Sequence, residues 1–361
     1  MKKLLTFFFV LAFASVNFAQ ISFSGDMQVR PRFDIKNWND YGHNGVGKTE
    51  DMYYMLRARV NINAKIGGGW YAKTQLAHYN YANYAFTNGL ASYAPLLADD
   101  DLMARPTVNF TEMYLGYQSK AWGFQAGVVT ESGIKNPMLD LHFHPYKIID
   151  IPWTINHDAS FYGGKLNIAA GPGKINFMAA LRVNNILKED VQGNTIGKDQ
   201  HDIYAFGLNY SFKVADFWFQ PGVILDWASD SVQAPISYGL NFATPKFSGW
   251  QFGATAAFTN NSVDGTAKYD GSLIRLKVTG KLGPGALIAW YDFDKRTDTF
   301  TSGDIDHNYT YLWLAYKITI AKYANGAAII MPRWRHMTEK VDNAKDYSRD
   351  KIECLFIATF K

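Results

Sequence analysis

Between Ile21 and Lys36, apolar and polar residues alternate without a break. Ile21, Phe23, Gly25, Met27, Val29, Pro31, Phe33 and Ile35 share one parity, and Ser22, Ser24, Asp26, Gln28, Arg30, Arg32, Asp34 and Lys36 share the other. Successive side chains of an extended strand point to opposite sides, so one face of this segment meets an apolar medium and the other meets water. A half-buried strand of a soluble sheet sustains such a pattern over about five or six residues, and this one runs to roughly three times that length. Segments of the same character recur down the chain. Open strand edges are not tolerated in lipid, so the pattern predicts an all-β protein that crosses a membrane as a closed barrel.

Residues 1–20 have the form of a signal peptide: Lys2 and Lys3, then the apolar run Leu4 to Ala14, then Ala19 as a small residue for cleavage. That run is shorter than the roughly 20 residues a spanning helix needs. Residues 21–361 are then expected to form one barrel. No cysteine stands near the cleavage point, which argues against a lipid anchor. The one cysteine, Cys354, lies on an apolar face, so neither a disulfide framework nor a Cys-based metal site is expected. Aromatic residues make up 16% of the chain and glycines number 30, in keeping with interfacial girdles and tight turns. The formal net charge of +4 falls to about +2 once Lys2 and Lys3 leave with the leader, so bulk charge says little about partners and gives no reason to expect nucleic acid.

Sixteen alternating segments are expected, near 21–36, 53–66, 70–79, 108–118, 122–129, 160–170, 175–184, 202–213, 217–227, 236–244, 250–258, 270–282, 286–294, 308–318, 327–336 and 350–360. Their connections alternate in length. Gly67–Gly69, Ser119–Ala121, Gly171–Gly173, Val214–Asp216, Pro245–Gly249 and Gly283–Gly285 are short, and Thr319–Gly326 slightly longer; between them fall 37–52, 80–107, 130–159, 185–201, 228–235, 259–269, 295–307 and 337–349. An even strand count with short turns on one side and long loops on the other predicts a transmembrane antiparallel β-barrel of sixteen strands in the bacterial outer membrane, termini inside the periplasm. Trp70, Trp122, Phe217 and Trp250 open strands directly after short turns and are expected to form one aromatic girdle. Phe33, Tyr54, Phe110, Trp227, Tyr291, Phe293 and Trp334 are candidates for the other.

The last strand places Ile352, Cys354, Phe356, Ala358 and Phe360 on one face, which resembles the C-terminal signal of outer-membrane proteins, although Lys361 follows the aromatic. Together with Arg30-Pro31-Arg32-Phe33 and Glu112-Met113-Tyr114-Leu115-Gly116-Tyr117, it makes the chain resemble bacterial porins, similar in style to the alginate-export and phosphate-selective types. The resemblance implies passive diffusion of small hydrophilic solutes, a homotrimer, contact with outer-membrane lipid and lipopolysaccharide, and no cofactor.

If the apolar faces meet lipid, the polar faces line a lumen. Basic candidates there outnumber acidic ones, and Arg30, Arg32, Arg57, Arg59, Arg333 and Arg335 fall on strands made neighbours by barrel closure. They are expected to form one basic wall that favours anionic solutes, since arginine keeps its charge and grips carboxylate or phosphate in a fork. The competing expectation is that they pair with Asp34, Glu353 or loop carboxylates and stiffen the wall. By the porin resemblance, the third extracellular loop, 130–159, folds inward. Its Glu131, Asp140 and Asp150 would then oppose the arginines, and Tyr146 and Trp153, with Phe143, would offer a sliding surface. Loop 80–107 is equally long and is a candidate to lie over a trimer neighbour.

His142, His144 and His157 offer a weak metal signal without a carboxylate or Cys partner, and Asp99–Asp101 read better as a solvated charge run than as a calcium site. His78, His201 and His336 sit at strand ends with no evident Ser partner, so an enzyme is not expected. A plugged receptor needs more strands than this chain supplies. A plugged structural or adhesive barrel without a transport role is the alternative.

Overall fold

The computed structural model describes residues 20–40, 45–78, 85–88, 91–93, 108–132, 136–143, 158–183, 187–189, 195–198, 203–228, 234–262, 268–341 and 345–361. Among them sixteen long strands pair in sequence. They are β1 (Gln20–Asn39), β2 (Val46–Gly67), β3 (Trp70–His78), β4 (Val108–Gln118), β5 (Trp122–Ser132), β6 (Asp158–Ala170), β7 (Gly173–Val183) and β8 (Ile203–Val214). They continue with β9 (Phe217–Ala228), β10 (Ile236–Ala243), β11 (Trp250–Asn261), β12 (Lys268–Leu282), β13 (Gly285–Phe300), β14 (Gly303–Tyr323), β15 (Gly326–Val341) and β16 (Lys345–Phe360). Each is antiparallel to the next, and β16 returns to β1 in a register running from Gly25↔Phe360 to Asn39↔Asp346. Among the described residues the ring of strands closes without a free edge strand, which pairs the backbone groups of the central wall within the sheet.

The alternation becomes geometry. On β1, Phe23 and Met27 are 56% and 60% exposed while Arg30 and Asp34 are 1% exposed. Apolar side chains therefore form the outer surface, and charged and amide side chains the inside, the reverse of a soluble protein. At the short-turn end the aromatics meet as expected: Trp70 stands edge-on to Tyr117 at 5.3 Å and to Phe124 at 5.6 Å, Trp122 stacks on Phe124, and Phe217 stacks on Phe242. Gly67, Gly68 and Gly69 all take positive φ (113°, 59° and 92°), conformations that a Cβ disfavours, and they turn β2 into β3. A bulge where β3 meets β4 pairs Gln75 with Glu112 and Leu76 with Phe110. That extra residue, Thr111, reverses the parity and lets Phe110 face outward while Glu112 faces in.

Several expected loops are largely strand. β13 runs to Phe300 and β14 begins at Gly303, so most of 295–307 is a continued hairpin; β15 and β16 likewise extend into 337–349, and β1 and β2 into 37–52. Beyond the apolar band both faces are polar and the alternation fades, but backbone pairing continues. Within 80–107, the short strand Ala85–Asn88 pairs with Tyr54–Leu56 of β2 and with Ala91–Tyr93. That part of the loop extends its own barrel's wall, and most of the rest of 80–107 lies outside the described residues. A second short hairpin joins Leu187–Glu189 to Thr195–Lys198.

Candidate functional site in the barrel interior

Four of the six candidate arginines converge on one carboxylate. The register sets Glu353 of β16 opposite Arg32 of β1 on one side and Arg333 of β15 on the other. Arg32 pairs with Glu353 Oε1, Arg30 and Arg335 reach the same oxygen at 3.3 and 2.7 Å, and Arg333 Nε lies 2.8 Å from Oε2. All five side chains are buried. Arg57 and Arg59 do not join this cluster: both bond Asp26, Arg57 through Nε and a terminal nitrogen at 3.0 and 2.8 Å, Arg59 through Nε at 2.6 Å. Asp34 is taken by Arg349 and accepts from the Tyr53 hydroxyl at 2.9 Å. The six arginines thus form two adjacent clusters rather than one open wall. Glu353 and Asp26 compensate two of their six positive charges.

An aromatic bridge, not anticipated from the sequence, leads away from the arginines. Arg333 lies 4.3 Å over the Trp313 ring; Trp313 stacks on Trp290 at 4.3 Å and 15°; Arg275 and Lys277 lie 5.4 and 5.9 Å over Trp290. Charge over a ring face is favourable and holds guanidinium planes in place. The signal was available: Trp290 and Trp313 have the inward parity of their strands, between the outward Ala289 and Tyr291 and the outward Leu312 and Leu314.

The loop after β5 supplies α1 (Met138–Phe143), whose six residues are all buried. Its anchors lie on the inner faces of β9, β10 and β11. His142 places Nδ1 2.8 Å from Ser237 Oγ and Nε2 3.0 Å from Asp226 Oδ1, and Ser237 donates onward to Thr259 at 2.8 Å. These are the residue types of a hydrolytic triad. However, a serine hydroxyl that donates to Thr259 accepts from the ring and so has no proton for histidine to remove. Both ring nitrogens are spent, so His142 is a docking residue and not the metal ligand weighed above; His144 and His157 lie outside the described residues. Just before α1, Asn136 accepts from Asn241 at 3.2 Å, close to the short-turn end of β10. The seat itself is made of small residues. A Cβ on Gly222 would lie 3.0 Å from Asn209 Cβ and 3.2 Å from Met138 Cε, and one on Gly271 would lie 2.7 Å from Thr259 Cγ2 and 3.3 Å from Leu141 Cδ1, so wall and helix together crowd these positions. Leu139 and Leu141 join an apolar cluster with Phe161, Met178, Ile224, Leu273, Trp290 and Trp313.

The remaining loop candidates are placed as follows. Glu131 lies on β5 and pairs with Lys165 at 2.7 Å, so it serves its own wall instead of opposing the arginines. Asp140 is buried in α1, where its charged neighbours are Arg275 and Asp292, and Arg275 already holds Asp292 through two bonds of 2.7 and 2.6 Å. Both Asp140 carboxylate oxygens lack a hydrogen-bond partner among the described residues. Burial pushes its pKa up to about 8, Asp292 adds to the rise, and Arg275 opposes it. Tyr146, Asp150 and Trp153 lie outside the described residues.

No family model and no curated protein matches the sequence. Solved structures do. The outer membrane channel DcaP of Acinetobacter baumannii superposes with a TM-score of 0.57 at 12% identity, covering 96% of this chain and 99% of that one. An anion-selective porin from Comamonas acidovorans gives 0.55 at 9% identity, over 94% and 99%. OmpT, an outer membrane protein of Vibrio cholerae in its trimer form, gives 0.55 at 12% identity over the same shares. At such identities the likeness establishes the fold.

Proposed function

We propose that this chain, which has the bacterial outer-membrane porin fold, is a passive diffusion channel for small hydrophilic solutes with a weak anion preference. The observation that carries the preference is the convergence of Arg30, Arg32, Arg333 and Arg335 on the single carboxylate of Glu353, with Arg57 and Arg59 beside them on Asp26. A lumen wall with surplus positive charge lowers the barrier for anions and raises it for cations. The inward docking of residues 136–143 supports a narrowed lumen, with the third loop as the constriction. The anion selectivity named for the Comamonas protein and the trimer form of the Vibrio protein are consistent with this reading and with a homotrimer in the outer membrane, surrounded by lipid and lipopolysaccharide.

The apolar cluster of α1 against Trp290 and Trp313 favours a second reading, a barrel closed by its own loop that serves a structural or adhesive role. Planar bilayers separate the two. Stable open steps with a reversal potential on the anion side, shifted toward zero when Arg30, Arg32, Arg57 and Arg59 are replaced by Gln, support the anion pore. Steps without anion preference would remove the arginine argument, and a silent protein would leave the closed barrel.

A further inference from the structure

Away from the arginines, the inner wall carries a row of uncharged amides. Asn167 of β6 sits opposite Asn176 of β7, which sits opposite Asn209 of β8; Gln220 of β9 sits opposite Asn241 of β10, which sits opposite Thr255 of β11. The row spans six strands near the short-turn end and is hydrogen-bonded from Asn176 to Thr255. Asn176 and Gln220 donate to Asn209 Oδ1 at 2.8 and 3.1 Å, Asn241 donates to Gln220 at 3.1 Å, and Thr255 donates to Asn241 at 2.7 Å. Asn167, Asn176, Asn209 and Gln220 line a cavity of about 380 Å³, beside Glu131 and Lys165, that Asn136, Met138 and Leu139 of the loop also border. An adjoining cavity of about 400 Å³ shares Gln220 and adds the half-buried indole of Trp218, which has the same inward parity.

We propose that this row is a binding subsite for a neutral polyhydroxylated solute of mono- or disaccharide class. Several hydrogen-bonding functions remain unspent. Among the described residues, the Asn209 amide NH2, the Asn176 carbonyl oxygen and the whole Asn167 side chain have no protein partner, although each faces the cavity. An amide both donates and accepts, as a hydroxyl does, and a row of amides matches a row of hydroxyls whichever way each amide is turned. The cavities also carry charge, but Lys165 pairs with Glu131 at 2.7 Å, Arg275 holds Asp292 and Lys277 lies 5.9 Å over the Trp290 ring. The unspent functions are therefore those of the amides, and the indole offers an apolar face for the C–H side of a sugar ring. The volumes fall in the range of small-molecule sites, which begins at roughly 300 Å³. The proposal rests on the diffusion-pore reading only for access to the cavity.

The test uses the purified full-length protein in planar bilayers, with maltose as the probe. The expected result is a saturable, maltose-dependent reduction of current through the open channel. In Asn167→Ala, whose side chain holds up nothing in the wall, and in the double variant Asn176→Ala/Asn209→Ala, the half-blocking concentration rises by roughly tenfold, the worth of one or two hydrogen bonds. Conductance in salt alone and the reversal potential stay as in the parent. A conducting channel indifferent to maltose, or a block unchanged in both variants, overturns the subsite and leaves the porin intact. If no conductance appears, the porin reading fails. The subsite is then judged by saturation-transfer NMR of maltose on the detergent-solubilised protein. Transfer abolished in the variants supports it; no transfer to the parent overturns it.

Discussion

His142 in the loop helix and Asp226 on β9 meet 3.0 Å apart, Nε2 to Oδ1, with both side chains shut off from solvent. A helix of six residues has no stability of its own, so α1 stays where the wall holds it. The ring bonds to Asp226 and Ser237 are two of its polar anchors, and a buried group that loses its partner costs about 1–3 kcal/mol. His142→Ala is therefore expected to loosen α1 and give a larger, noisier single-channel conductance, with thermal unfolding at lower temperature. Conductance unchanged from the parent would show that the apolar contacts alone seat the helix.

Asp140 makes the seating pH-dependent. Its buried carboxyl titrates at about 8, against about 3.9 for an unfolded aspartate, so between those values the seated state holds a proton that the released state does not. Stability of the seated state then falls as pH rises across that window and is fully present only below it. Arg275, Asp292 and Asp294 are the charged groups around it, and the Arg275–Asp292 pair stays in place. Channel noise and mean current are expected to grow from pH 5 to pH 9 in the parent, and Asp140→Asn is expected to flatten the profile. A profile just as steep in the Asn variant would assign the titration elsewhere.

The parity rule made the wall legible before any coordinates: Arg30, Arg32, Arg57, Arg59, Arg333 and Arg335 all face inward. What parity does not encode is register. Whether Arg57 sits opposite Arg30 or opposite Gln28 depends on a two-residue offset that preserves every side chain's face, and here it is Gln28. That offset sends Arg57 and Arg59 to Asp26 and leaves Glu353 to the other four. Loop docking is less legible still. Nothing in the string Met138–Phe143 announces that His142 bonds residues 84 and 95 positions away. The small inward residues Gly222 and Gly271 were visible in the sequence, but the atoms that crowd them, Asn209 and Thr259 of neighbouring strands as well as Met138 and Leu141 of the helix, come together only in the fold.

Those glycines give a steric prediction. A leucine at 222 places its Cβ 3.0 Å from Asn209 Cβ and 3.2 Å from both Leu208 O and Met138 Cε, with the rest of its side chain on the inner face that the helix occupies. Overpacking of this kind costs roughly 1–3 kcal/mol, so the movable partner gives way before the closed sheet does. Gly222→Leu is expected to keep the folded barrel, read as a heat-modifiable band on a gel, and to alter conductance in the same direction as His142→Ala. Loss of the barrel itself would mean that Gly222 is required by the wall and not by the helix.

Glu353 stands on the inner wall at the strand pair that closes the barrel. It lies on β16 between Arg32 of β1 and Arg333 of β15, at the seam where the last strand rejoins the first. Glu353→Gln keeps the volume and removes the one negative charge shared by Arg30, Arg32, Arg333 and Arg335. Breaking a buried pair from one side typically costs about 3–5 kcal/mol, because the remaining charge is left in a poorly solvated site. Here four like charges would face each other, and the strain falls on the β16–β1 pairing. Two measurements should move together: the temperature at which the folded band disappears on a gel falls, and the reversal potential of the surviving channels moves further toward anions. Lower thermal stability with unaltered selectivity would mean that this cluster holds the seam shut without facing the path of the ions, and the anion preference would then have to come from another part of the wall.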